Sequence, residues 1–110
     1  MDSSTQQSLD AAMDRLWTKF LPEMEERVAV LEAANRALAA DKLSKHQQGD
    51  AHSAAHKLAG ALGTFGLTKG TVLAREAEIL YSGNAELDPA SLPRLNQITD
   101  QLKTIVANRK

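Results

Sequence analysis

The sequence predicts an all-α fold, an antiparallel up-down four-helix bundle with an additional N-terminal helix. Apolar residues recur three and four positions apart along the whole chain, the spacing that gathers them on one side of a helix turning about 100° per residue. No segment alternates apolar and polar residues between turn formers, as a half-buried strand would. The interruptions are short, and short connections favour antiparallel neighbours. The 110 residues amount to one domain with a single core, divided into a flanking helix over 1–21 and the bundle over 22–110. Neither internal repeats nor a low-complexity linker is present.

Leu9, Met13, Leu16, Trp17 and Phe20 form the apolar stripe of the first helix, with Trp17 and Phe20 packing it onto the bundle. Pro22 ends or bends it, because its ring and missing N–H interrupt the ladder, and then suits the first turn of a second helix. That second helix carries Met24, Val28, Leu31, the polar Asn35 and Leu38, and Glu23, Glu25 and Glu26 favour the dipole at its start. It fades around Asp41. The third helix begins between Ser44 and Asp50, either of which can cap it, with Gly49 favouring the later start, and it runs to about Gly63. A fourth spans roughly Thr68 to Ser82, turning Leu73, Ala77 and Leu80 inward, and stops at "SGN", Ser82–Asn84. Asp88 as cap and Pro89 at the first helical position open the last helix, whose stripe is Leu92, Leu95, Ile98, Leu102, Ile105 and Val106.

Composition narrows the function classes. Thirteen basic against fourteen acidic residues leave a net charge of −1, which gives no reason to expect nucleic acid or an anionic membrane as partner. Aromatic residues are 4% of the chain, so the core is built from Leu, Ala, Ile and Val. The absence of cysteine removes disulfide and thiolate chemistry and is compatible with a reducing cytoplasm. No apolar run approaches the roughly 20 residues of a membrane span, and "MDSSTQQSLDAAMDRL" lacks the layout of a signal peptide. The expected location is cytoplasmic.

The stretch "AAHKLAGALGTFG", residues 54–66, accepts three glycines in a helix-forming run, each costing about 1 kcal/mol against alanine inside a helix. On a helical projection Ala51, Ala54, Ala55, Leu58, Ala61, Leu62 and Phe65 gather opposite His56 as the core face. Within about 60° of His56 lie His52, Ser53, Ala59, Gly60 and Gly63, all small or polar. The imidazole therefore projects to solvent with little beside it. The glycines either clear the approach of another molecule or permit close helix packing, and Gly63 and Gly66 also suit a helix end.

Residues 55–67, "AHKLAGALGTFGL", resemble the signature of histidine-containing phosphotransfer (Hpt) domains: a histidine, an apolar residue two later, glycine four later and a further glycine ten later. The layout of an exposed histidine on one helix of a small bundle, often with an extra N-terminal helix, matches the predicted elements over essentially the whole chain. The resemblance implies that His56 accepts a phosphoryl group from an aspartyl phosphate on a receiver domain and passes it to another receiver's aspartate. It implies partners among the receiver domains of response regulators or hybrid histidine kinases. It also implies a phosphocarrier rather than an enzyme, with no cofactor of its own and Mg²⁺ on the receiver. A neutral imidazole, the major form near pH 7, is nucleophilic without a strong base. Docking is expected around His52, Ser53, Lys57, Ala59, Gly60 and Gly63, on a monomer.

The family pattern has lysine three residues after the histidine, where this chain has Ala59. Lys57, about 100° around the helix, either reaches back towards the phosphoryl group or stands solvated. Ala59 is the feature that leans towards a different class of function, a non-phosphorylated helical adaptor using the same surface. His52 and His56 share a face, but a metal site needs further ligands, for which only His46 or Asp50 is near; His52 is expected to rim the docking surface. Arg75, in "AREAE", lies near that rim or forms a surface ion pair.

Overall fold

A computed structural model of the chain describes residues 3–83 and 87–109. Among these residues the helices are α1, Ser3–Ala39; α2, Lys45–Thr64; α3, Thr68–Tyr81; and α4, Leu92–Asn108, the last entered through a 3₁₀ turn at Pro89–Ser91. There is no strand among them. Contacts run around the ring α1–α2–α3–α4 and back to α1, and each neighbouring pair is antiparallel. Trp17 of α1 meets Phe65 at the end of α2, Gly63 faces Thr71, Glu76 reaches Arg94, and Glu32 reaches Lys103. The up-down bundle is thus present, built from four long helices.

The predicted break at Pro22 does not occur: α1 runs through it for 37 residues. A proline inside a helix forfeits one hydrogen bond, to the carbonyl four residues back. Pro22 and Thr18 both lie on the exposed side of α1, so the freed carbonyl meets water while Trp17 and Met24, buried on either side of the proline, hold the helix to the bundle. The additional N-terminal helix is therefore the first part of α1. Glu23, Glu25 and Glu26 are correspondingly not at a helix start; Glu23 pairs with Arg27 one turn on, at 3.6 Å.

A 37-residue helix is about 55 Å long, which matches the 54 Å longest dimension of the molecule, against 21 and 20 Å across it. The shorter helices cannot cover that length. Residues 4–11 are exposed, as are Leu16 and Phe20, so of the stripe expected on the first helix only Trp17 is buried. Trp17 meets Phe65 edge-on at a centroid distance of 5.0 Å and lies under the Arg109 guanidinium at 5.7 Å, while Arg109 also pairs with Asp14. Phe20 stays outside, beneath Lys19.

Along the bundle the core follows the periodicity closely. Met24, Val28, Leu31 and Leu38 of α1, Leu58 and Leu62 of α2, Leu73 and Ala77 of α3, and Leu95, Ile98, Leu102, Ile105 and Val106 of α4 are buried; Leu80 and Leu92 pack at the edge, and Tyr81 is buried in place of Leu80. Asn35 sits among them at the centre of a polar tie. Its amide donates to the Thr99 hydroxyl at 2.9 Å, and its carbonyl oxygen accepts from the Tyr81 hydroxyl, joining α1, α3 and α4. Burial pushes the Tyr81 hydroxyl pKa well above its ordinary 10, so it stays a donor.

The start of α2 is the earlier of the two alternatives. Ser44 is its cap, accepting from the Gln47 amide at 3.0 Å, and Gly49 lies inside the helix with open space around it. At the other end Gly66 takes φ +72°, a backbone conformation that favours glycine, and turns the chain into α3. Asp88 caps the 3₁₀ turn by accepting from the Ala90 amide. Asn84, expected in the stop after α3, lies outside the described residues.

Candidate functional site

His56 sits near the middle of α2 with 66% of its side chain exposed. Ala55 and Leu58 beside it are buried, and their burial fixes the outward direction of position 56. Gly60, one turn on, would meet nothing within 4 Å if it carried a Cβ. Close helix packing therefore does not account for Gly60; it leaves the ground beside the imidazole open. Gly63 differs, since a Cβ there would stand 3.3 Å from the Thr71 hydroxyl, and this glycine brings α3 close.

That closeness corrects one expectation. The helical projection puts Ala59 with the exposed patch, yet it is 1% exposed. It lies on the α3 side of the patch, where Gly63 and the buried Gly70 let the two helices approach and Thr71 donates its hydroxyl to the Ala59 carbonyl at 3.2 Å. The other expected residues are accessible: His52 is half-buried, and Ser53, Lys57, Gly60 and Gly63 are exposed. They do not form one cluster. Ser53 and Lys57 line a groove between α1 and α2 with Glu23, Glu26 and Arg27, whereas His52 lines one between the start of α2 and the end of α3.

The electrostatic partner of His56 comes from α3. Its Nδ1 lies 2.9 Å from Oε2 of Glu78, a carboxylate with 20% of its side chain exposed, and His52 Nε2 stands 3.8 Å from the same oxygen. A carboxylate only accepts. The nitrogen facing it is therefore the protonated Nδ1, and in a neutral ring Nε2 carries the free lone pair, on the side of the ring away from Glu78. His46 turns away to Asp50 at 3.4 Å. Among the described residues no group of three His, Cys, Asp or Glu side chains converges to hold a metal ion.

This geometry, an exposed imidazole on a helical bundle with one ring nitrogen tied down and the other clear, meets an independent comparison. The family model of the Hpt domain matches residues 15–105. The chain belongs to the Hpt domain family. It is also 35% identical over 101 residues to Protein RcaC of Microchaete diplosiphon, an alignment covering 92% of this chain and 16% of RcaC; the chain thus spans about a sixth of that relative's length. No solved structure matches it. Membership places this Hpt domain in two-component phosphorelay signalling, in a family of phosphocarrier modules that interact with receiver domains. No helix among its described residues is long and apolar enough to cross a membrane.

Glu78 is the residue that sequence reasoning missed in this Hpt domain. It lies 22 positions from His56, and no spacing rule within one helix connects them. A signal was nevertheless present, because Thr71, Glu78 and, just past the helix end, Ser82 repeat at helical spacing on a polar flank of α3 between its buried and its exposed faces. Arg75, expected at the rim or in an ion pair, has no ion-pair partner among the described residues. Its neighbour Glu76 takes the pair instead, held at 2.6 and 2.7 Å by Arg94 of α4.

Proposed function

We propose that His56 is the phosphoacceptor of this Hpt domain, taking a phosphoryl group from the aspartyl phosphate of one receiver domain and delivering it to the aspartate of another. The single observation that carries this is the 2.9 Å contact from Nδ1 to Glu78 on an otherwise uncovered ring. Nε2 attacks the phosphorus of the acyl phosphate, the N–P bond forms as the P–O bond to the aspartate breaks, and the aspartate carboxylate leaves. The ring becomes cationic on phosphorylation, and the Glu78 carboxylate accepts its Nδ1–H and offsets that charge. Return to a second receiver reverses the step. Mg²⁺, supplied by the receiver, offsets charge on the transferring group, so the Hpt side needs only a positioned nucleophile and a docking face in the cytoplasm.

That face is built on α2 around His52, Gly60 and Gly63, with Ser53 and Lys57 on its flank towards α1, and it extends onto α3. Val72 and Ile79 on α3 are 60% and 70% exposed and lie within about 60° of Arg75 around that helix, giving an apolar border beside the histidine. Docked on both helices, a receiver would bring its aspartate over Nε2 and exclude water from the transfer.

The test is transfer from a receiver carrying ³²P on its aspartate. The wild-type domain gains an acid-labile, base-stable label that a second receiver removes, and His56→Gln gains none. Receiver binding without any label would instead support the helical adaptor.

A further inference from the structure

We propose that Arg75 of α3 is the side chain that holds the transferred phosphoryl group on this domain, an inference that rests on His56 being the phosphoacceptor. The need for a cation follows from the site's own charges. Glu78 already places a carboxylate beside the ring, and phosphorylation adds a group with up to two negative charges within a few ångströms of it. Ala59 is apolar and buried, so the position three residues after His56 supplies no charge towards the phosphoryl group.

The register of the two helices selects Arg75. Thr71 touches Ala59 and Gly63, and Glu78 touches His56 and His52. Between these two fixed points of an antiparallel pair, position 75 falls level with residues 56–60 of α2. It is turned further towards solvent than Thr71 or Glu78 and is exposed, while the ground beside the imidazole at Gly60 is open. Its guanidinium has no hydrogen-bond or ion-pair partner among the described residues. The acceptors beside it are engaged elsewhere, Glu76 with Arg94 and Glu78 with His56. Lys57, the other nearby cation, lines the groove towards α1 with Glu23 and Glu26, on the opposite flank from the carboxylate that holds the ring. A planar guanidinium also matches two phosphoryl oxygens at once, which an ammonium does not.

A small phosphodonor separates this role from receiver docking. Phosphoramidate transfers its phosphoryl group to Nε2 as its own P–N bond breaks and ammonia leaves. The wild-type protein, Arg75→Ala, Arg75→Lys, Lys57→Ala and His56→Gln are loaded this way without any receiver, and the second ionisation of the bound phosphoryl group is followed by ³¹P NMR. Arg75 favours the dianion, so Arg75→Ala is expected to raise that pKa by about half a unit or more. Arg75→Lys recovers part of the shift, and Lys57→Ala leaves the wild-type value. An unchanged titration in Arg75→Ala, with His56 still labelled, overturns the role of Arg75 alone. Labelling of His56→Gln as strong as wild type overturns the phosphoacceptor reading and this proposal with it. Circular dichroism checks that Arg75→Ala, a change at an exposed position, leaves the helices intact.

Discussion

At His56 the orientation of one ring divides the work between its two nitrogens, and Glu78 sets that orientation. Removing the carboxylate takes away a hydrogen bond to a ring that becomes charged during transfer, a contact worth about 1.5–3 kcal/mol. Glu78→Ala is therefore expected to slow phosphoryl transfer by about 10- to 100-fold, with Glu78→Gln between it and wild type, measured as the rate of label gain from a phosphorylated receiver. Gly60 supplies the complementary test. Gly60→Leu should raise helix stability by about 0.8 kcal/mol, because a Cβ there meets nothing within 4 Å, and yet slow transfer by covering the imidazole; an unchanged rate removes the clearance argument. The outward direction of His56 and the inward one of Leu58 and Leu62 were legible in the sequence because a helical projection suffices for them. Ala59 was not, since its burial depends on how closely α3 approaches, and that is set by Gly63 and Gly70 against side chains of other helices.

Between elements, two polar ties set how α1, α3 and α4 meet. Asn35→Ala strands the Tyr81 hydroxyl in the core and removes the donor to Thr99, whose own hydroxyl still donates to the Leu95 carbonyl; it is expected to cost about 2–3 kcal/mol of unfolding free energy, with Tyr81→Phe costing about half as much, and urea titrations read both. The second tie has a pH signature. The hydrogen bond from Arg94 holds the Glu76 carboxyl below its ordinary 4.5. Its contribution is therefore fully present above that value and lost as the pH falls through the lower folded value. Glu76→Gln should flatten the acid limb of stability against pH and change little near neutrality, where an exposed pair adds little. The partners in both ties are far apart in sequence, which is why only Asn35, a polar residue on an apolar stripe, was conspicuous beforehand. Pro22 misled for the reverse reason. The local rule for proline is sound, but the bundle binds α1 on both sides of it, through Trp17 and Met24, and tertiary packing outweighs one lost hydrogen bond.

On the scale of the whole molecule, α1 is longer than the bundle it belongs to. The short connections and antiparallel ring followed from the sequence, whereas the reach of α1 past its neighbours did not, because the stripe from Leu9 to Phe20 reads as a buried face whether or not another helix is there to cover it. Residues 4–11 are exposed, so a chain starting at Ala12 should have lower helix content and an unfolding free energy changed by no more than about 1 kcal/mol. A docking face shared by α2 and α3 makes a further expectation: Val72→Ser with Ile79→Ser weakens receiver binding by about tenfold through lost apolar contact, read by calorimetry, and leaves labelling by phosphoramidate unchanged. The measurement closest to the central claim is the nitrogen that carries the phosphorus. In ¹⁵N-histidine-labelled protein loaded from a receiver, ³¹P–¹⁵N coupling should appear at Nε2 of His56, with Nδ1 still protonated. Phosphorus on Nδ1, or on any residue other than His56, would contradict the account.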